Sequence, residues 1–183
     1  NMIFEMAGPS GTTAITVAAP MTISGTNCIL SAIKAHTEID ADQGTTIAFT
    51  TTAAADDLTI QDSYFYGSGD GTLGTTILRL VGADRFKMYN TVIDGYTSST
   101  TVGVLQMLTT ASTAVHIEGC TFVNRTALSV HAATGMVGAT GNVKDCAFGI
   151  YDTATLAGWE TEGSLQFFGC RVSNLAGEEG GVK

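Results

Sequence analysis

Leu58-Thr-Ile-Gln-Asp-Ser-Tyr-Phe65 is the stretch on which the fold can be read. Leu58 and Ile60 stand two apart with Thr59 and Gln61 between them, the alternation of a strand with one buried face. From Ile60 the next inward positions are Ser63 and Phe65, a step of three that requires a bend at Asp62. Asp, Asn and Gly tolerate left-handed or locally hydrogen-bonded backbone, so Asp62 suits a corner between two strands.

The same order of residue types returns along the chain: apolar, any, apolar, any, corner, small, any, apolar. The other copies are Met21-Thr-Ile-Ser-Gly-Thr-Asn-Cys28, Phe86-Lys-Met-Tyr-Asn-Thr-Val-Ile93 and Val115-His-Ile-Glu-Gly-Cys-Thr-Phe122. Gly141-Asn-Val-Lys-Asp-Cys-Ala-Phe148 and Leu165-Gln-Phe-Phe-Gly-Cys-Arg-Val172 complete the set. Their third residues, Ile23, Ile60, Met88, Ile117, Val143 and Phe167, are spaced by 37, 28, 29, 26 and 24 residues. The corner position holds Gly25, Asp62, Asn90, Gly119, Asp145 and Gly169. Self-similarity at such a period signals a solenoid, because one repeat cannot bury its apolar face without a neighbour stacked on it. A second strand follows most copies, in Thr45–Phe49, Thr75–Leu80, Val102–Met107 and Ala127–Val130. Gly-, Ser- and Thr-rich loops such as 66–72 and 96–100 join the pieces. Ile33-Lys-Ala-His-Thr-Glu-Ile-Asp40 reads as a strand, since Lys34, His36, Glu38 and Asp40 alternate with Ile33, Ala35, Thr37 and Ile39.

One coil with a corner and two or three short strands describes a turn of a parallel β-helix, and stacked turns convert like positions into ladders. The expected ladders are Ile23/Ile60/Met88/Ile117/Val143/Phe167 and Cys28/Phe65/Ile93/Phe122/Phe148/Val172. A small, polarizable ladder, Thr26/Ser63/Thr91/Cys120/Cys146/Cys170, runs between them. On these residues the chain resembles the right-handed, pectate-lyase-like β-helix superfamily, and within it phage decoration and spike proteins more than the enzymes. The expectation is an all-β, right-handed parallel β-helix of about six coils over residues 21–175. Residues 1–20 are read as an N-terminal arm or end cap and 176–183 as a flexible C-terminal tail. A β-sandwich is the alternative; it gives no reason for a corner residue to recur in phase.

The totals narrow the function. The chain has 183 residues, 44% of them hydrophobic, ample for one core. Only 14% are charged, well below the usual quarter, which fits large partner-covered surfaces. The net charge of −9 comes from 17 acidic and 8 basic residues, and the bases are scattered singly. No stripe can track a phosphate backbone, so neither nucleic acid nor an anionic membrane is an expected partner. No apolar run reaches the roughly 18 residues of a spanning helix, and the first residues lack the pattern of a signal peptide. Synthesis in a reducing host cytoplasm is the expectation for the four cysteines.

Cys120, Cys146 and Cys170 recur at the coil interval without a companion histidine, so they read as a packing ladder and not as a metal site. His36, His116 and His131 show no zinc spacing. Glycosidases need two carboxyl groups about 5–9.5 Å apart. The outward columns Gln61/Tyr89/Glu118/Lys144/Phe168 and Tyr66/Asp94/Val123/Gly149/Ser173 stack no acids. Asp56-Asp57 alone echoes a polygalacturonase motif. Asp40-Ala-Asp-Gln-Gly44 and Gly67-Ser-Gly-Asp-Gly71 read as turns, since calcium wants six to eight oxygens. Asn124-Arg-Thr126 spells a glycosylation sequon. Outward aromatics are the remaining candidates: Tyr64, Tyr66, Tyr89, Tyr96, Tyr151 and Trp159, with Tyr64, Tyr89 and Val92 expected to form one interface.

No cofactor or metal is expected. The expected role is a non-enzymatic structural virion protein, a phage capsid decoration (cement) protein. It would act as a homo-oligomer, a trimer by analogy, on a larger assembly such as a capsid. A tail spike, fibre or adhesin fragment that binds host glycans is the alternative, and a polysaccharide lyase or hydrolase the next.

Overall fold

The computed structural model describes residues 2–5, 15–17, 21–37, 47–67, 76–95, 103–108, 112–124, 131–134, 139–150, 157–160 and 164–174. It is an all-β parallel solenoid, a β-helix. Sheet A orders β1 (Met2–Glu5), β4 (Cys28–Ser31), β7 (Thr59–Gln61), β10 (Lys87–Tyr89), β13 (Val115–Glu118), β16 (Thr140–Lys144) and β19 (Ser164–Phe168). Sheet B orders β2 (Ile15–Val17), β5 (Lys34–Thr37), β8 (Tyr64–Gly67), β11 (Val92–Gly95), β14 (Thr121–Asn124), β17 (Ala147–Ile150) and β20 (Arg171–Asn174). Sheet C orders β3 (Met21–Ile23), β6 (Ile47–Thr51), β9 (Thr76–Val81), β12 (Leu105–Leu108), β15 (His131–Thr134) and β18 (Ala157–Glu160). The chain visits A, B and C in that order throughout, so each strand pairs in parallel with the one three before it.

The corner between sheets A and B explains the repeat. Asp62, Asn90, Gly119, Asp145 and Gly169 all have left-handed backbone, with φ between 46° and 66°. The N–H of each of the first four donates to a carbonyl of the next rung: Asp62 to Tyr89 at 3.1 Å, Asn90 to Glu118 at 3.1 Å, Gly119 to Lys144 at 3.0 Å and Asp145 to Phe168 at 2.8 Å. The turn is therefore part of the ladder, and its backbone is satisfied.

The small position after the corner has a chemical reason too. Ser63 Oγ donates to the Gln61 carbonyl at 2.7 Å and Thr91 Oγ1 to Tyr89 at 2.8 Å. Cys120, Cys146 and Cys170 thiols reach the carbonyls two residues back at 3.4, 3.2 and 3.5 Å. Ser, Thr and Cys are the small side chains that carry a donor, and here the donor closes the corner.

The apolar ladders run along the axis. Met88 pairs with Ile60 and Ile117, Ile117 with Val143, and Val143 with Phe167. Ile60, Met88, Ile117 and Val143 are fully buried, each contributing about 1.5–3 kcal/mol relative to exposure. On sheet B, Phe122 stacks on Phe148 with centroids 5.4 Å apart.

The first copy departs from expectation. Leu30, not Ile23, pairs with Ile60, and Ala35, not Cys28, pairs with Phe65. The true first copy is Cys28–Ala35, with Ala32 at the corner (φ 54°) and Ile33 at the small position. Ile33 has no donor; instead its N–H donates to Ser63 Oγ at 3.1 Å. Ile23 lies on sheet C opposite Thr51, and Thr26 in the turn that precedes sheet A. Met21–Cys28 satisfies the template by residue type but follows a different path, because an apolar alternation with a nearby glycine also suits a strand of sheet C and its turn. The strand expected at Ala127–Val130 falls outside the described residues; β15 stands at His131–Thr134. β1 and β2 form the edge strands of sheets A and B within the segment read as an arm or end cap.

Candidate interaction surfaces

Sheet B carries an aromatic row on its outer face. Alternation along β5 and β8 turns Ala35 and Phe65 inward, and Lys34, His36, Tyr64 and Tyr66 outward. His36 pairs with Tyr66 and Lys34 with Tyr64. The His36 and Tyr66 rings stack at 4.5 Å and 16°, and the Tyr64 and Tyr66 rings at 5.2 Å and 18°. Tyr64 is exposed, while Tyr66 and His36 are half-buried. Val92 follows Tyr64 on the next rung and Asp94 follows Tyr66. The stack immobilises three amphipathic rings in advance, so a partner would not have to order them.

Tyr89 does not join this face. It lies on sheet A, across the Asp62/Asn90 corner from Tyr64, where it pairs with Gln61 and Glu118. Its ring leans on His116 at 5.5 Å and 50°. Tyr64 and Tyr89 both stand at outward positions, but the corner at Asp62 and Asn90 lies between them, so they do not share the expected surface. Trp159 stands opposite Ala133 on sheet C, and its side chain lies outside the described residues, as do Tyr96 and Tyr151. His36 joins the face beyond expectation, since its alignment with Tyr66 follows from the register of Cys28–Ala35 and not from that of Met21–Cys28.

Sheet A presents an ion-paired strip. Glu118 accepts from Lys144 Nζ at 2.7 Å and meets His116 Nε2 at 3.2 Å, and Lys144 also lies 3.6 Å from Asp145. The bond from Lys144, then that from His116, holds the Glu118 carboxyl below its ordinary range. The outward column Gln61/Tyr89/Glu118/Lys144/Phe168 is in register as expected. It sets an acid beside a base, not beside a second acid.

Asp56 and Asp57 build the corner between sheets C and A. Asp57 is left-handed (φ 57°) and binds Arg85 through both oxygens at 2.9 Å. Asp56 Oδ1 accepts the Asp84 N–H at 3.1 Å, and Asp84 Oδ1 accepts the Thr113 N–H at 2.8 Å. The Asp56 and Asp84 carboxylates thus cap the backbone of the following rung, and that of Asp57 ties down the Arg85 side chain.

Cys120 and Cys146 are buried and Cys170 half-buried, and all are free thiols. A hydrogen bond with Cys146, then burial, pushes the Cys120 thiol up, and burial does the same to Cys170. Among the described residues no cluster of three or more His, Cys, Asp or Glu side chains could hold a metal ion. Both acidic loops proposed as turns fall outside the described residues apart from Gly67, and so does the His131 side chain. Asn124 of the sequon is fully buried. No described helix is long and apolar enough to cross a membrane.

An apolar cavity of about 400 Å³ lies in the lumen beside β3, lined by Met21, Ile23, Cys28, Leu30, Phe49 and Phe65 among others. Phe65 heads the ladder that continues through Ile93, Phe122 and Phe148. No protein-family model, no curated protein and no solved structure matches the chain.

Proposed function

We propose that the protein is a structural component of a larger protein assembly, of the kind represented by capsid decoration proteins of a virion. We take its rung pattern as kin to that of the right-handed, pectate-lyase-like helices. The observation that carries the reading is the preordered row His36–Tyr66–Tyr64 on sheet B, flanked in register by Val92 and Asp94. Tyrosines held rigid on a sheet lose little entropy on binding and are the residue type that anchors interfaces. The low charge content supports the same reading.

The test uses purified particles from the source of the protein. Recombinant protein added to particles stripped of it should rebind to a fixed stoichiometry and raise the temperature at which they disrupt. Tyr64→Ala and Tyr66→Ala should each weaken rebinding about tenfold or more, the size of a typical aromatic anchor. His116→Ala, on sheet A, should leave it unchanged. Failure to find the protein on any particle sinks the proposal.

The same aromatic row favours a glycan-binding module as the second reading, since stacked rings also suit sugar faces. Saturable binding to a glycan array, lost in Tyr66→Ala, would promote it. For the enzyme reading, incubation with polygalacturonate or alginate should release no reducing or unsaturated ends above a heat-killed control.

A further inference from the structure

We propose that Arg79 and Gln106, side by side on sheet C, form a binding site for one isolated carboxylate group. The two residues are in register on β9 and β12, with Thr50 of β6 in register on the far side of Arg79. Both strands have a neighbour on each side, so the site owes nothing to either end of the solenoid. Leu78, Leu80, Leu105 and Met107 are buried in the core, and alternation turns Arg79 and Gln106 to the outer face. Gln106 is nevertheless only 4% exposed, and Arg79 is half-buried.

The Arg79 Nε–H donates to Gln106 Oε1 at 2.9 Å. A guanidinium has no acceptor, so this bond orients the amide: its oxygen faces Arg79 and its NH2 group is left as a donor. Among the described residues nothing accepts from that NH2 group or from the two Nη groups of Arg79. These atoms are not sealed off, since Ser112 Oγ is the sole buried side-chain polar atom without a partner among the described residues. What the pair has left to offer is donors.

Its charge is also unanswered. Arg85 meets Asp56 and Asp57, and Lys144 meets Glu118 and Asp145. Among the described residues no carboxylate pairs with Arg79. Burial pushes its guanidinium down from the ordinary range, as desolvation does to a cation without a counter-charge. An incoming anion would supply that counter-charge, and a planar carboxylate matches the fork of the two Nη groups. The residues in register on either side of the pair are Thr50 and Thr134, both uncharged. A polyanion would need a row of bases here, so the site takes a single carboxylate. Its source is an acidic side chain of a protein partner or a free small acid.

Titration of isotope-labelled protein with sodium acetate at constant ionic strength, followed by NMR, tests this. The Arg79 Nε–H and the Gln106 side-chain NH2 signals should shift saturably, and sodium sulfate should act more weakly. Arg79→Gln should weaken the acetate response of the Gln106 NH2 group at least about tenfold, as loss of one partner of a charge pair does. Gln106→Glu supplies an internal carboxylate to Arg79, so acetate binding should fall as far while the melting temperature does not. Circular dichroism confirms that each variant is folded. A second arm distinguishes the sources: Arg79→Gln weakens rebinding to stripped particles if the carboxylate is a partner's side chain, and leaves it unchanged if it is a free acid. The acetate arm needs no particle, so its failure is separable from failure of the assembly reading. No saturable response in the wild type, a response that survives in either variant, or tighter binding of sulfate than of acetate would overturn the proposal.

Discussion

Ala32 stacks on Asp62 at the corner between sheets A and B and shares its left-handed backbone, φ 54° against 51°. Its N–H donates to the Gln61 carbonyl at 3.2 Å, as that of Asp62 donates to Tyr89 at 3.1 Å. The hydrogen bonding is equivalent, but the residue type is not. A Cβ in left-handed backbone costs roughly 1–2 kcal/mol, less for Asn and Asp and nothing for Gly. Ala32→Asn should therefore stabilise the protein by about 0.5–1 kcal/mol, read as a higher urea midpoint at constant slope. Destabilisation would show that Ala32 is not left-handed in solution.

Ser63 makes two bonds, donating to the Gln61 carbonyl and accepting, fully buried, from the Ile33 N–H. Ser63→Ala removes both and leaves a backbone donor unpaired, so it should cost about 1–3 kcal/mol. Cys146→Ser should cost under about 1 kcal/mol, because the new hydroxyl inherits the Lys144 carbonyl that the thiol already reaches at 3.2 Å. Urea denaturation of the two variants side by side checks the contrast. Equal losses would mean that the corner bond contributes little.

Acid should act on the Asp84 corner. Bonds from the Thr113 backbone N–H, then from its hydroxyl, hold the Asp84 carboxyl below the ordinary value of 3.8. A depressed folded-state pKa means stability that is fully present above the unfolded value and lost as pH falls through the folded one. Asp84→Asn keeps an acceptor oxygen without the titration. The wild type should lose melting temperature relative to Asp84→Asn only below about pH 4. Parallel curves across that window would remove Asp84 as the cause.

Gly141 sits at φ 138°, where a Cβ would collide with the backbone oxygen and nitrogen of Val115 on the neighbouring rung. Neither atom can move without breaking the ladder between β13 and β16. Gly141→Ala should cost on the order of 3–5 kcal/mol, a loss confined to strain and clash of this kind. A melting temperature within a few degrees of wild type would show that β16 can shift.

The later copies of the repeat are legible because every rung buries the same positions. Ile60, Met88, Ile117, Val143 and Phe167 are apolar in phase, and Asp62, Asn90, Gly119, Asp145 and Gly169 mark the corner by type. The first copy is not legible: Ala32 and Ile33 carry neither a corner residue nor a small donor, and Met21–Cys28 imitates the pattern on another sheet. The thiol ladder could be read from spacing, but its bonds to the preceding carbonyls could not, since they depend on the corner's dihedral angles.

By itself the sequence determined the solenoid class and, from Leu58 onward, the corner positions and the inward ladders, all of which follow from local alternation and residue type repeated in phase. Only the tertiary structure decided which outward residues share a face. Tyr64 and Tyr89 fall on different sheets, and His36 meets Tyr66, because those neighbours come from rungs tens of residues apart and from the angle through which the chain turns at Asp62. It also decided which core residues lie bare. Phe167 and Val172 read like any other rung but are exposed, while Val143 and Phe148, their partners in the preceding rung, are buried.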